Sequence, residues 1–146
     1  MLDSMNKMSR FFYRPATGLL IIRIVIGAVF VHHGWEKLLN ESMPLGLMAH
    51  IGFAPFWAYV ITWVEIAGGL MLIFGVLARA AGVALAFAML IALRFVALPG
   101  RGFAGSELEF LLMFGSLGIA FTGAGRYRFM HLFEHDHLET REVHQG

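Results

Sequence analysis

The stretch TGLLIIRIVIGAVFVHHGWEKLL, residues 17–39, decides how the rest of the chain is read. It is long enough to cross a bilayer as a helix, which takes about 20 mostly apolar residues. Yet it carries Arg23, His32, His33, Glu36 and Lys37. A charge at the centre of a membrane helix costs at least about 2.5–3.5 kcal/mol on insertion scales, and it ordinarily faces a protein interior or a water-filled cavity. This helix therefore needs partners.

The whole chain supports a membrane setting. Of its 146 residues 58% are hydrophobic and 14% charged, against roughly 45–50% and 25% in a soluble domain, and its mean hydropathy is +0.70. The expected molecule is a small, single-domain integral membrane protein, with the lipid bilayer as its first partner. A formal charge of +1 gives no argument for nucleic acid. With no cysteine, disulfides, thiol nucleophiles, iron–sulfur ligation and cysteine-based zinc sites are excluded in this chain. Lys7, Arg10 and Arg14 ahead of the apolar run resemble the start of a secretory signal. The run is too long for one, however, and lacks an A-x-A-like site, so it reads as a retained first span.

Working outward, residues 1–16 form a basic lead whose Phe11, Phe12 and Tyr13 suit a headgroup layer. Three further apolar runs follow, over residues 56–77 with Glu65 near the middle, 80–98 with Arg94 near the end, and 108–122 beginning beside Glu107 and Glu109. Pro44, Gly46, Gly52 and Pro55 punctuate the first connection, where residues 45–51 suit a short helix. The backbone must satisfy itself in lipid, so the runs are expected as helices. Residues 17–126 then make an all-α, antiparallel four-helix membrane bundle, and residues 127–146 a polar tail. Lys7, Arg10, Arg14, Arg79, Arg126, Arg128 and Arg141 fall on one side, which predicts that both termini are cytoplasmic. Glycines in every span, among them Gly68, Gly69, Gly82 and Gly115, would let helices approach closely.

Helical rise predicts where the polar residues lie. Counted from the non-cytoplasmic end, Lys37, Arg94 and Glu109 sit within about 7 Å of the surface, His33 about 9 Å down and Glu65 about 15 Å down. Four helices would thus feed one outward-opening polar column. His33 and Lys37, four apart, share a face. Arg23 lies deeper, where its side chain would reach a carboxylate or snorkel to the headgroups. Structurally, Arg94 would pair with Glu109, and Lys37 or Arg23 with Glu65. Functionally, the same residues would line a cavity for a polar or redox-active molecule, with carboxylates and histidines moving protons.

Other chemistry is constrained. The later spans contain no histidine, so a bis-histidine haem within the bundle is not expected. His131, His135 and His137, with Glu134 and Asp136, put imidazoles at metal-ligand spacing, but a solvated mixed-charge tail is the favoured reading and no metal site is expected.

Arg23, Gly27, His33-Gly34 and Lys37, then Glu65, Gly68-Gly69, Gly75 and Arg79, and finally Gly123-Ala124-Gly125-Arg126-Tyr127 resemble the DoxX family of small membrane proteins. The similarity covers nearly all of the chain between its ends. It departs at Arg128-Phe129-Met130, where many relatives carry a small residue and an aspartate, and at Arg94, in a region where histidine is frequent. The resemblance implies a four-helix inner-membrane protein from a functionally mixed family that includes a thiosulfate:quinone oxidoreductase subunit and proteins linked to quinone or oxidative stress. One function it implies is an accessory redox subunit that holds a quinone or similar molecule. His33, Lys37 and Glu65 would be its catalytic groups, and Arg23, Arg94 and Glu109 its substrate-binding ones. Lacking an electron carrier of its own, the chain would draw electrons through a bound cofactor or a partner protein. The alternative is a non-enzymatic assembly factor or scaffold that recruits a partner protein or a second copy. Transport is a third reading, disfavoured by the lack of an internal repeat.

Overall fold

A computed structural model describes residues 15–127. The lead before Pro15 and the tail histidines lie outside the described residues. Within them the chain is helical, with α1 at Pro15–Leu39, α2 at Ser42–His50, α3 at Phe56–Phe74 and α4 at Ala78–Ala92. A π-helical turn, Leu93–Ala97, carries α4 into the short α5, Leu98–Arg101. A 3₁₀ turn at Ala104–Ser106 then leads into α6, Glu107–Thr122. Four of these stretches are long and apolar enough to cross a membrane: Pro15–Leu39, Phe56–Phe74, Ala78–Arg101 and Ala104–Thr122. The four-span helical bundle expected from the sequence is the fold observed. The short helix lies where it was expected, with slightly different ends.

Two span boundaries shift, each for a local reason. The second span stops at Phe74 because Gly75 turns left-handed at φ +72°. Gly75 N–H donates to the Leu72 carbonyl at 3.3 Å and Val76 N–H to that of Met71 at 3.0 Å, the paired bonds of a Schellman stop. The third span instead runs beyond Leu98. Pro99 has no N–H for the Phe95 carbonyl, and the wider π turn immediately before it keeps the chain helical past the mismatch.

Small residues set the packing. A Cβ on Gly27 would lie 2.6 Å from the Gly69 carbonyl oxygen, and one on Gly69 equally close to that of Gly27. At that point α1 and α3 are in backbone contact. Gly82 brings α4 just as near to Ser116 of α6. The α1–α3 and α4–α6 pairs make the most extensive contacts, and α3 meets α4 where Leu85 sits over Gly68. Phe30, Leu72, Leu85 and Ile119 fill the shared core, while Ile21, Val25, Phe87, Leu111 and Phe121 point outward, as they should where lipid is the solvent.

Candidate functional site

Two cations of α1 turn into the bundle, buried Arg23 and partly buried Lys37, and they meet different partners. Near its start, Arg23 is only 1% exposed. Its Nε donates to the Leu72 carbonyl at 2.6 Å, one terminal nitrogen to Ala124, and the other to Tyr127 at 2.8 Å and Ile73 at 3.5 Å. Leu72 and Ile73 belong to the last turn of α3, whose carbonyls carry partial negative charge; that of Leu72 takes the guanidinium in addition to the Gly75 N–H. The sequence suggested a carboxylate or the headgroups for Arg23. The structure gives it backbone carbonyls instead.

The surrounding motif makes this possible. A Cβ on Gly75 would lie 2.8 Å from the Arg23 guanidinium, so the residue that ends α3 also leaves room for the arginine. Gly123 and Gly125 adopt φ +76° and +68°. They curl the chain after α6 so that the Ala124 and Tyr127 carbonyls face back to α1. Arg79 packs against Gly123.

Near the other end of α1, Gly34 fits against Thr62 and Ile66 of α3. One turn later, Lys37 reaches Glu65. Its Nζ lies 2.5 Å from one carboxylate oxygen and 2.6 Å from the other. Glu65 is 1% exposed and the Lys37 side chain 22%. Thr62 takes no part, since its hydroxyl donates to the Ala58 carbonyl one turn back. Of an ammonium's three N–H groups, two serve the carboxylate, leaving one for another acceptor.

That acceptor has somewhere to sit. Lys37 and Glu65 border a cavity of about 50 Å³, room for a few water molecules. Ala58 and Ile61 of α3, Ala92 of α4 and Val96 of the π turn form its sides, and Pro44, Leu47 and Met48 of α2 close on it from the end where an open mouth was expected. The lining role of the π turn was not read from the sequence, although Pro99, four residues beyond Phe95, was the available signal.

The expected single column therefore divides. Lys37 and Glu65 come together as expected. His33 is half-buried on α1 but does not line the cavity, and it packs edge-on to His32 with ring centres 6.0 Å apart. Arg94 is exposed, 5.5 Å above the Phe95 ring, so its anticipated pairing with Glu109 is replaced. Glu109 accepts from Arg101 instead, while its second carboxylate oxygen is buried without a hydrogen-bond partner.

The site holds a partly exposed donor cation and a buried, proton-accepting carboxylate in contact, next to a small void. This arrangement can hydrogen-bond an oxygen function of a ligand and exchange a proton with it. A protein of Bacillus subtilis (strain 168) with the provisional name oxidoreductase CatD is 32% identical over 107 residues, 73% of this chain and 80% of that protein. No solved structure matches the chain. The DoxX family matches residues 18–98, over half of the chain and a range that includes Arg23, Lys37, Glu65 and the π turn. The chain belongs to the DoxX family.

Proposed function

We propose that this protein is an accessory redox subunit of the bacterial inner membrane, with both termini cytoplasmic, which binds a quinone or a similar small molecule at Lys37 and Glu65. The observation that carries this reading is the pair's position, a buried carboxylate against a lysine on the wall of a cavity rather than in packed core. The oxidoreductase name of the Bacillus relative points the same way. The donor set suits the proposed ligand. A quinone presents carbonyl oxygens that accept from an ammonium, and a quinol presents hydroxyls that donate to a carboxylate.

A bound quinone would supply the two-electron, two-proton couple, with the electrons passing to or from a partner protein. The chain's own contribution is at the oxygen. Lys37 Nζ orients it and stabilises negative charge there, in a partly buried setting where the interaction is stronger than in bulk water. Glu65 holds or releases the proton.

Ligand identification tests this directly. Gently solubilised protein and the Glu65→Gln variant are compared by lipid extraction and native mass spectrometry, with thermal unfolding as the check on folding. A stoichiometric quinone in the wild type, reduced at least tenfold in an equally folded variant, is the expected result. An empty bundle in both would leave the ion pair a structural element and turn the reading to an assembly factor that recruits a partner.

A further inference from the structure

The cavity beside Lys37 and Glu65 is too small for an aromatic ring. At about 50 Å³ it falls well short of the roughly 150 Å³ that accepts benzene in a protein interior. A larger space lies on the other side of one wall. Between α3 and α4, on the outer flank of the bundle, an apolar groove of about 490 Å³ shares Met48, Ile51, Ile61, Ala88 and Ile91 with the cavity. Its size falls in the usual range for small-molecule sites, about 300–1,000 Å³.

The groove arises from the sequence in a simple way. Ala84 lines it from α4 where a larger side chain would fill it, and Val60 and Val64 face it from α3. Trp57, Phe53 and Phe87 form exposed aromatic edges, and no charged residue lines it. The partition between the two spaces is soft. Met48 is 4% exposed and, being unbranched and flexible, can change rotamer more readily than a β-branched side chain. The α2 end of the cavity is covered by Pro44 and Leu47, whereas the groove faces the flank where lipid lies.

Resting on the reading of Lys37 and Glu65 as a ligand site, we propose that the site is entered sideways from the bilayer, through the groove between α3 and α4. Its substrate is a membrane-dissolved amphiphile, apolar in body and bearing an oxygen at one edge, rather than a water-borne metabolite. The ring occupies the groove, Met48 moves aside, and the oxygen edge crosses the wall to Lys37. An apolar chain on the ring gains little by leaving lipid, which is as apolar as the groove. The groove thus provides access and orientation, and the polar pair provides the selectivity.

Blocking the groove without touching the pair tests this. Ala84→Trp and Val60→Trp fill it from its two sides, while Val83→Trp places the same bulk on the exposed outer face of α4, 58% exposed and outside the groove. Each variant is placed in lipid nanodiscs with a decyl-substituted benzoquinone in the bilayer. Bound quinone is counted by native mass spectrometry, and folding is monitored by thermal unfolding. Both groove variants should bind at least tenfold less than the wild type, with Val83→Trp within twofold of it and all three equally folded. Normal binding in both groove variants, with loss in Glu65→Gln, would keep the site and overturn the entry route. Equal loss in Val83→Trp would overturn the route as well. No binding to the wild type would overturn both the route and the site.

Discussion

Arg23 and Lys37 lie on the same helix, about four turns apart, and both are drawn into the protein, but their surroundings differ in kind. Arg23 is held by fixed, neutral carbonyls of Leu72, Ile73, Ala124 and Tyr127. None of these can take up or release a proton, and the guanidinium itself stays charged. Lys37 is held by Glu65, a group that can titrate, and the two border a void. A buried charge whose hydrogen bonds all end on backbone ties elements together. A buried charge paired with a carboxylate beside open space can do chemistry. One helix thus joins an architectural end to a candidate reactive end.

The largest expected effect lies at the architectural end. Arg23→Leu removes hydrogen bonds from a charged donor to two segments, the end of α3 and the turn after α6, each bond worth about 1.5–3 kcal/mol. We expect a loss of at least about 4 kcal/mol, measured by steric trapping in bicelles. Trypsin should also cut faster at exposed Arg126, because Tyr127 beside it loses its anchor. Unchanged stability and cleavage would mean that Arg23 does not hold the two segments.

At the other end the outcome should depend on how many partners are removed. Glu65→Ala leaves Lys37 partly buried without its carboxylate, and breaking a buried pair in this way costs about 3–5 kcal/mol. Removing both charges with Lys37→Met and Glu65→Leu should restore stability to within about 1 kcal/mol of the wild type, since apolar replacement of a buried pair is often neutral. The restored protein should not retain quinone. No such rescue exists for Arg23, because its partners are backbone. A double variant as unstable as Glu65→Ala would erase the distinction between the two ends.

Gly75→Ala should have a smaller effect. A left-handed conformation costs a residue with a Cβ roughly 1–2 kcal/mol, and here the new methyl also presses on the guanidinium. A loss of about 1–2 kcal/mol, with quinone binding intact, would locate the cost at the Arg23 end. Loss of quinone in an equally folded Gly75→Ala protein would show that the two ends are coupled through α3.

These contrasts also mark what the sequence could convey. Span number and type were legible because runs such as residues 17–39 leave few alternatives in lipid. The partner of Glu65 was legible in part, since Lys37 and Arg23 of the same span were the two cations available to it. Arg23's role was hidden because its acceptors are carbonyls, which every residue carries and no side-chain pattern records. Glu109 was matched with Arg94 on depth alone. In the structure Arg94 instead lies over the Phe95 ring on the exposed face, and Arg101, beyond Pro99, takes the carboxylate. The cavity depends on how α2 folds back over Lys37, a long-range packing outcome that local pattern does not encode.

The smallest expected effect concerns that replacement pair. The Arg101 side chain is 53% exposed and that of Glu109 16%, so solvent screens one partner, and exposed pairs are generally worth about 0–1 kcal/mol. A double-mutant cycle with Arg101→Gln and Glu109→Gln should therefore give a coupling below about 1 kcal/mol, with bound quinone unchanged in all three variants. The buried, unpartnered second oxygen of Glu109 makes this a fair challenge, because burial reduces the solvent screening that weakens an exposed pair. A coupling above about 2 kcal/mol, or loss of quinone on Glu109→Gln alone, would show that Glu109 resembles Glu65. The reactive end would then comprise two carboxylates, each with its own cation, in place of one.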